Sequence, residues 1–100
     1  MTLKQYGYAV QALTEKERLV RKRGDEQLAE NYKAALKKLM NSRHTVGFLN
    51  GLEEEHLQLI VQALEDTADR RQIWATTFDA VKMRETAKVV KEARYQEGIA

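Results

Sequence analysis

From Gly51 to Gly98 the chain carries neither proline nor an internal glycine, and its apolar residues recur at helical spacing for almost half its length. The series is Leu52, Leu57, Ile60, Val61, Leu64 and Ala68, then Ile73, Trp74, Phe78, Val81, Ala87, Val90 and Ala93. Steps of three and four place such residues on one side of a helix, whereas a half-buried strand would alternate. Glu, Gln, Ala, Leu, Lys and Arg fill most of the positions between them and are strong helix formers. The expectation is an all-α fold: a small bundle of about four helices with a long C-terminal helix, residues 1–100 forming a single helical domain.

Asp66 with Thr67 supplies a cap inside this stretch, with Asp69 in the turn that would follow. The spacing therefore predicts a third helix over about residues 52–65 and a fourth over about 67–96. A helix of roughly thirty residues spans about 45 Å, more than a chain of 100 residues needs to cover its own core. That excess length predicts a homodimer formed through the 67–96 helix.

The first half reads as two further helices. Leu3, Tyr6, Val10, Leu13 and Val20 share a stripe, with Ala9 and Ala12 beside it. Gly7 weakens the first turns, and Thr14-Glu15-Lys16-Glu17 matches a capping box, so starts near Leu3 and near Thr14 both remain open. Arg18, Arg21, Lys22 and Arg23 before Gly24 are a stop: cations in the last turn, then glycine. Asp25 and Glu26 cap the next helix, whose stripe is Leu28, Ala29, Tyr32, Ala35, Leu36, Leu39 and Met40, ending near Asn41 to Arg43. Tyr32, Ala35 and Leu36 resemble a tetratricopeptide helix, but no second copy follows at the required period, so a repeat array is excluded. Between Ser42 and Gly51 the pattern is irregular. Val46, Phe48 and Leu49 are expected to tuck under the helices, and Asn50-Gly51 to turn.

Composition narrows function mostly by exclusion. With 43% hydrophobic and 32% charged residues the chain is a folded type. The absence of cysteine rules out disulfides, a cysteine nucleophile and thiolate metal sites. No apolar run is long enough for a signal peptide or a membrane span, so the expected compartment is cytoplasmic. Net charge is only +2. Its distribution is uneven, since residues 1–50 carry a net +5 and residues 51–100 a net −3. Those halves could neutralise one another within one chain or between two.

Catalytic constellations are missing. The five glycines are scattered singly, Ser42 is the only serine, and the only histidines are His44 and His56. The chain is therefore read as a non-enzyme without cofactor, too small for a large private ligand cavity.

Three groups of residues stand out. In Glu53-Glu54-Glu55-His56, Glu53 and His56 stand three apart on one helix face. The Glu-x-x-His spacing resembles that of ferritin-like di-iron bundles. The resemblance implies a metal pair completed in a homodimer, with Glu26 or Glu30 as further ligands. The bland reading is preferred: three glutamates stabilise a helix N-terminus, His56 sits half exposed behind them, and no metal binds. The second group is basic: Arg18, Arg21, Lys22 and Arg23, then Lys33, Lys37, Lys38, Arg43 and His44. With Tyr6, Tyr8 or Tyr32 to stack on bases it would form a nucleic-acid-binding stripe. As solvated faces and C-terminal dipole partners, most of these cations need no ligand. The third is Arg70, Arg71, Trp74 and Phe78, a core patch or a partner-binding one, since Trp and Arg dominate interface hot spots.

The resulting expectation is a small protein-interaction module, an adaptor, regulator or inhibitor of a larger machine. Compact, cysteine-free chains of this kind are common among the accessory proteins of phages and other mobile elements. The alternatives are nucleic-acid binding through the basic first half and a dimeric di-iron protein.

Overall fold

A computed structural model describes the backbone of residues 1–44, 52–74 and 77–99, and the side chains within them other than 44, 71–74, 77–79 and 94–99. Four helices account for almost all of it: α1 (Leu3–Lys22), α2 (Glu26–Asn41), α3 (Glu54–Trp74) and α4 (Thr77–Ile99), with a 3-10 turn at Ser42–His44 after α2. There is no strand among the described residues. The radius of gyration, 12.9 Å, matches the ~13 Å of a compact chain this long.

Helix α1 starts at the earlier of its two candidate positions. Thr2 is the N-cap, its hydroxyl accepting from Gln5 N while Gln5 Oε1 accepts from Thr2 N at 2.8 Å, a reciprocal box that satisfies two free amides. Thr14 lies inside the helix, its hydroxyl donating to Val10 O at 2.8 Å. The stop falls where glycine predicts it. Gly24 has φ +91, Gly24 N donates to Arg21 O, and Asp25 N donates to Val20 O. This paired closure satisfies carbonyls that the last turn leaves free, and its left-handed residue favours glycine. Asp25 at once caps α2 by accepting from Leu28 N at 3.1 Å.

The division of the second half differs from expectation. Helix α3 runs straight through Asp66 and Thr67 to Trp74, and α4 begins only at Thr77. The 67–96 helix is therefore not found, and α4, at 23 residues, hardly exceeds the 21 of α3 or the 20 of α1. The cause is tertiary. Asp66 takes its hydrogen bonds from Gln62 and Lys16 rather than from a helix start, and Thr67 is fully buried. With the break moved, the excess length that suggested a dimer through this helix is gone.

Helices α1 and α3 each pack against all the others, while α2 and α4 barely meet. The core follows that arrangement. Leu57, Ile60, Val61, Leu64 and Ala68 of α3 are buried as their spacing requires. On α2 they face Ala29, Tyr32, Ala35 and Leu39, and Ala80, Met83, Ala87 and Val90 of α4 close the other side. The stripe of α1 is rotated from the one its large residues suggest: Ala9, Ala12, Leu13 and Val20 are buried, Tyr6 and Val10 only partly, and Leu3 is 63% exposed. Close helix approach favours alanine at the centre, so the larger side chains flank it. Eight of the nineteen described buried apolar residues are alanine. The expected apolar trio of Val46, Phe48 and Leu49 and the Asn50-Gly51 turn lie outside the described residues.

Candidate functional site

Nine of the ten basic residues of the first half, all but Lys16, occupy exposed positions on α1, α2 and the turns that follow each helix. Arg18, Lys22, Arg23, Lys33, Lys37, Lys38 and Arg43 are all exposed. Arg21 alone in this group is neutralised, its guanidinium donating to Glu17 at 3.1 Å and Glu30 at 3.2 Å. Those two hydrogen bonds hold its pKa above the ordinary value. The other seven have no carboxylate within ion-pair distance among the described residues.

Nor does the second half cancel this charge. Among the described residues two ion pairs join the halves, Lys16 with Asp66 at 2.7 Å and Arg70 with Glu15 at 3.6 Å. Each half gives one cation and one anion, so the excess of +5 in residues 1–50 is untouched. Three α3–α4 cations instead find partners on neighbouring turns or helices: Arg84 with Asp69 at 2.8 Å, Lys91 with Glu65 at 2.6 Å and Lys82 with Glu85 at 3.4 Å.

The Lys16–Asp66 pair is the best-embedded of these, with side chains 15% and 32% exposed. Burial pushes the Asp66 carboxyl up, but hydrogen bonds from Lys16 and Gln62 and the charges of Lys16 and Arg70 outweigh it and hold it below 3.8. Tyr32 is buried nearby, which, with the Asp66 charge, raises its phenol to about 12. Tyr32 is thus unavailable for stacking on a base. Tyr6 and Tyr8 are half-buried, and Tyr8 lines an open groove of about 720 Å³ between α1 and α4 with Lys4, Gln11 and Lys82.

Of the four residues assigned to partner binding, Arg70 has a role inside the bundle. Its guanidinium donates to Thr67 Oγ1 at 3.3 Å and pairs with Glu15 of α1. Arg71, Trp74 and Phe78 lie on helical backbone at the facing ends of α3 and α4, and their side chains, like that of His44, are outside the described residues.

At the other end of α3 the geometry departs from the bland reading. His56 is buried rather than half exposed, at 8% relative exposure. The spacing contained this, because His56 falls four residues from both Leu52 and Ile60 on the buried stripe. Glu53, Glu55 and His56 each offer a donor atom, and the three atoms lie within 4.8 Å of one another. Glu55 is the residue that the Glu-x-x-His spacing did not single out. Glu26 and Glu30 are not part of this cluster, and Glu30 is engaged by Arg21.

Against the described residues, no helix is long and apolar enough to cross a membrane. Comparison of the chain with family models, with curated proteins and with solved structures gives no match in any of the three.

Proposed function

We propose that this chain is a small, non-enzymatic interaction module that docks its α1–α2 face onto an acidic surface of a larger protein, as an adaptor, regulator or inhibitor. One observation carries the reading: seven exposed cations, from Arg18 to Arg43, that no carboxylate among the described residues neutralises. Uncancelled charge on one part of a protein speeds encounter with an oppositely charged partner and suppresses the wrong ones. A cytoplasmic setting and an origin in a phage or other mobile element are parts of the same proposal. So is self-association through the ends of α3 and α4, where Trp74 and Phe78 would be the anchors.

The same cations favour nucleic acid as a second reading, since phosphates are equally good partners for them. Burial of Tyr32 removes one of its three stacking residues.

The experiment is capture of the tagged chain from a cell lysate at near-physiological salt, with and without nuclease, beside a Lys33→Glu/Lys37→Glu/Lys38→Glu variant. A protein retained in stoichiometric amount by the wild type, resistant to nuclease and lost with the variant supports the protein-docking reading. Retention that vanishes with nuclease transfers the face to nucleic acid. Equal retention by wild type and variant removes the basic face from the function altogether.

A further inference from the structure

We infer that Glu53, Glu55 and His56 form a binding site for one divalent transition-metal ion of the zinc class at the start of α3. Three observations converge there. One oxygen from each glutamate and one ring nitrogen of His56 lie within 4.8 Å of one another. The His56 side chain is nine-tenths buried, yet its Nδ1 is the one buried side-chain nitrogen or oxygen among the described residues that lacks a hydrogen-bond partner. Its Nε2 lies 3.9 Å from Glu55 Oε1, too far for a hydrogen bond.

A buried imidazole nitrogen with no hydrogen-bond partner carries a desolvation cost with no return. A cation bound through Nδ1 removes that imbalance, because neutral imidazole then gives that nitrogen's lone pair to the metal.

The chemistry of the donors fixes the class of ion. One imidazole and two carboxylates, with no thiolate anywhere in the chain, suit zinc, iron or nickel, whereas calcium and magnesium prefer oxygen alone. Zinc binds such atoms at about 2.0–2.2 Å, which places tetrahedral ligands about 3.4 Å apart. Closing from 4.8 Å asks only that the glutamates turn, and both are exposed. The positive end of α3 opposes a cation, but consecutive carboxylates at Glu53, Glu54 and Glu55 more than offset the half charge of a helix dipole. A cavity of about 250 Å³ beside His56, bounded by Asn31 and Leu59, leaves room for water in the remaining coordination positions. The site is mononuclear, at one end of the bundle, and needs no second chain.

The test is calorimetric titration of the full-length chain with Zn²⁺, repeated with Co²⁺ to read its visible absorption. The expected result is one ion per chain, weakened at least tenfold in each of Glu53→Gln and Glu55→Gln and abolished in His56→Ala. Both glutamates are exposed, so those two variants stay folded even if loss of the buried ring disturbs the bundle, which circular dichroism reports. Ring-nitrogen NMR shifts of His56 on Zn²⁺ addition supply a second readout. Absence of binding overturns the site. So does equal affinity in the wild type and either glutamine variant, or a His56 ring whose shifts do not move.

Discussion

The α1–α2 half and the α3–α4 half of this bundle treat charge in opposite ways. In α3–α4 the cations Arg84, Lys91 and Lys82 each reach a carboxylate of the same half, and Arg70 reaches across to Glu15. In α1, α2 and the turns after them, eight cations, Lys4 among them, are exposed without an ion pair among the described residues, and Arg21 alone there is neutralised locally. Both halves are amphipathic hairpins, with ten basic groups to place in the first and seven in the second. The difference shows that net charge read from sequence halves is not cancelled merely because the halves pack together. Cancellation needs facing residues, and the two pairs that cross between the halves exchange equal charge in each direction. One half thus pairs most of its described cations internally, while the other leaves most of its own unpaired.

The largest effect expected is one that spares neither half. Leu64 is fully buried on α3, which packs on every other helix, and Leu64→Ala should cost about 3 kcal/mol in urea unfolding. A single cooperative transition in that variant would show that the halves fold together; two separated transitions would split the comparison into independent units. Next comes the triple reversal Lys33→Glu/Lys37→Glu/Lys38→Glu. It should lower partner affinity by roughly a hundredfold while shifting stability by less than about 0.5 kcal/mol, as exposed substitutions without partners do. A loss of stability comparable to the loss of binding would mean that these lysines are structural after all.

Gly24→Ala tests the hinge of the basic hairpin. Nothing lies within 4 Å of the added carbon, so the penalty comes from φ +91 alone, about 1–2 kcal/mol in thermal unfolding. Breaking Arg84–Asp69 with Arg84→Ala should cost less than about 1 kcal/mol, because its side chains are 41% and 68% exposed, and should leave partner affinity unchanged. Last is pH. Asp66 titrates below the ordinary carboxylate range in the folded chain, so its contribution is present above the ordinary value and is lost as pH falls through the lowered one. Lys16→Met should make the acid limb of the stability profile shallower, measured by urea unfolding at each pH. An unchanged limb would place the acid sensitivity elsewhere.

How much of this was legible depended on whether a residue's role was local. Helix type, the Gly24 stop and the Asp25 cap are set by neighbours within four residues, and all three could be read directly. The buried face of α3 was equally plain, from Leu57 to Ala68. Asp66 was misread as a cap because the partner that occupies it, Lys16, lies fifty positions away and leaves no local trace. In α1 the large residues drew attention from Ala9 and Ala12, although the closest helix approach favours the smallest side chains. Glu53 and His56 were singled out by spacing, but burial of the ring and the convergence of Glu55 needed three dimensions.

The alanine-lined seams have a thermodynamic consequence. Alanine has no rotamer to freeze, so burying it costs no side-chain entropy, whereas a leucine gives up roughly 0.5–1 kcal/mol of rotational freedom. The eight alanines of the core are packed without that cost, which its eleven larger members still bear. Alanine offers little shape to interlock, so alignment there rests on the larger side chains and on polar contacts. The inter-helix ion pairs, weak as sources of stability, then act as pins: Lys16–Asp66 and Arg84–Asp69 each select one alignment of their helices from several of similar packing.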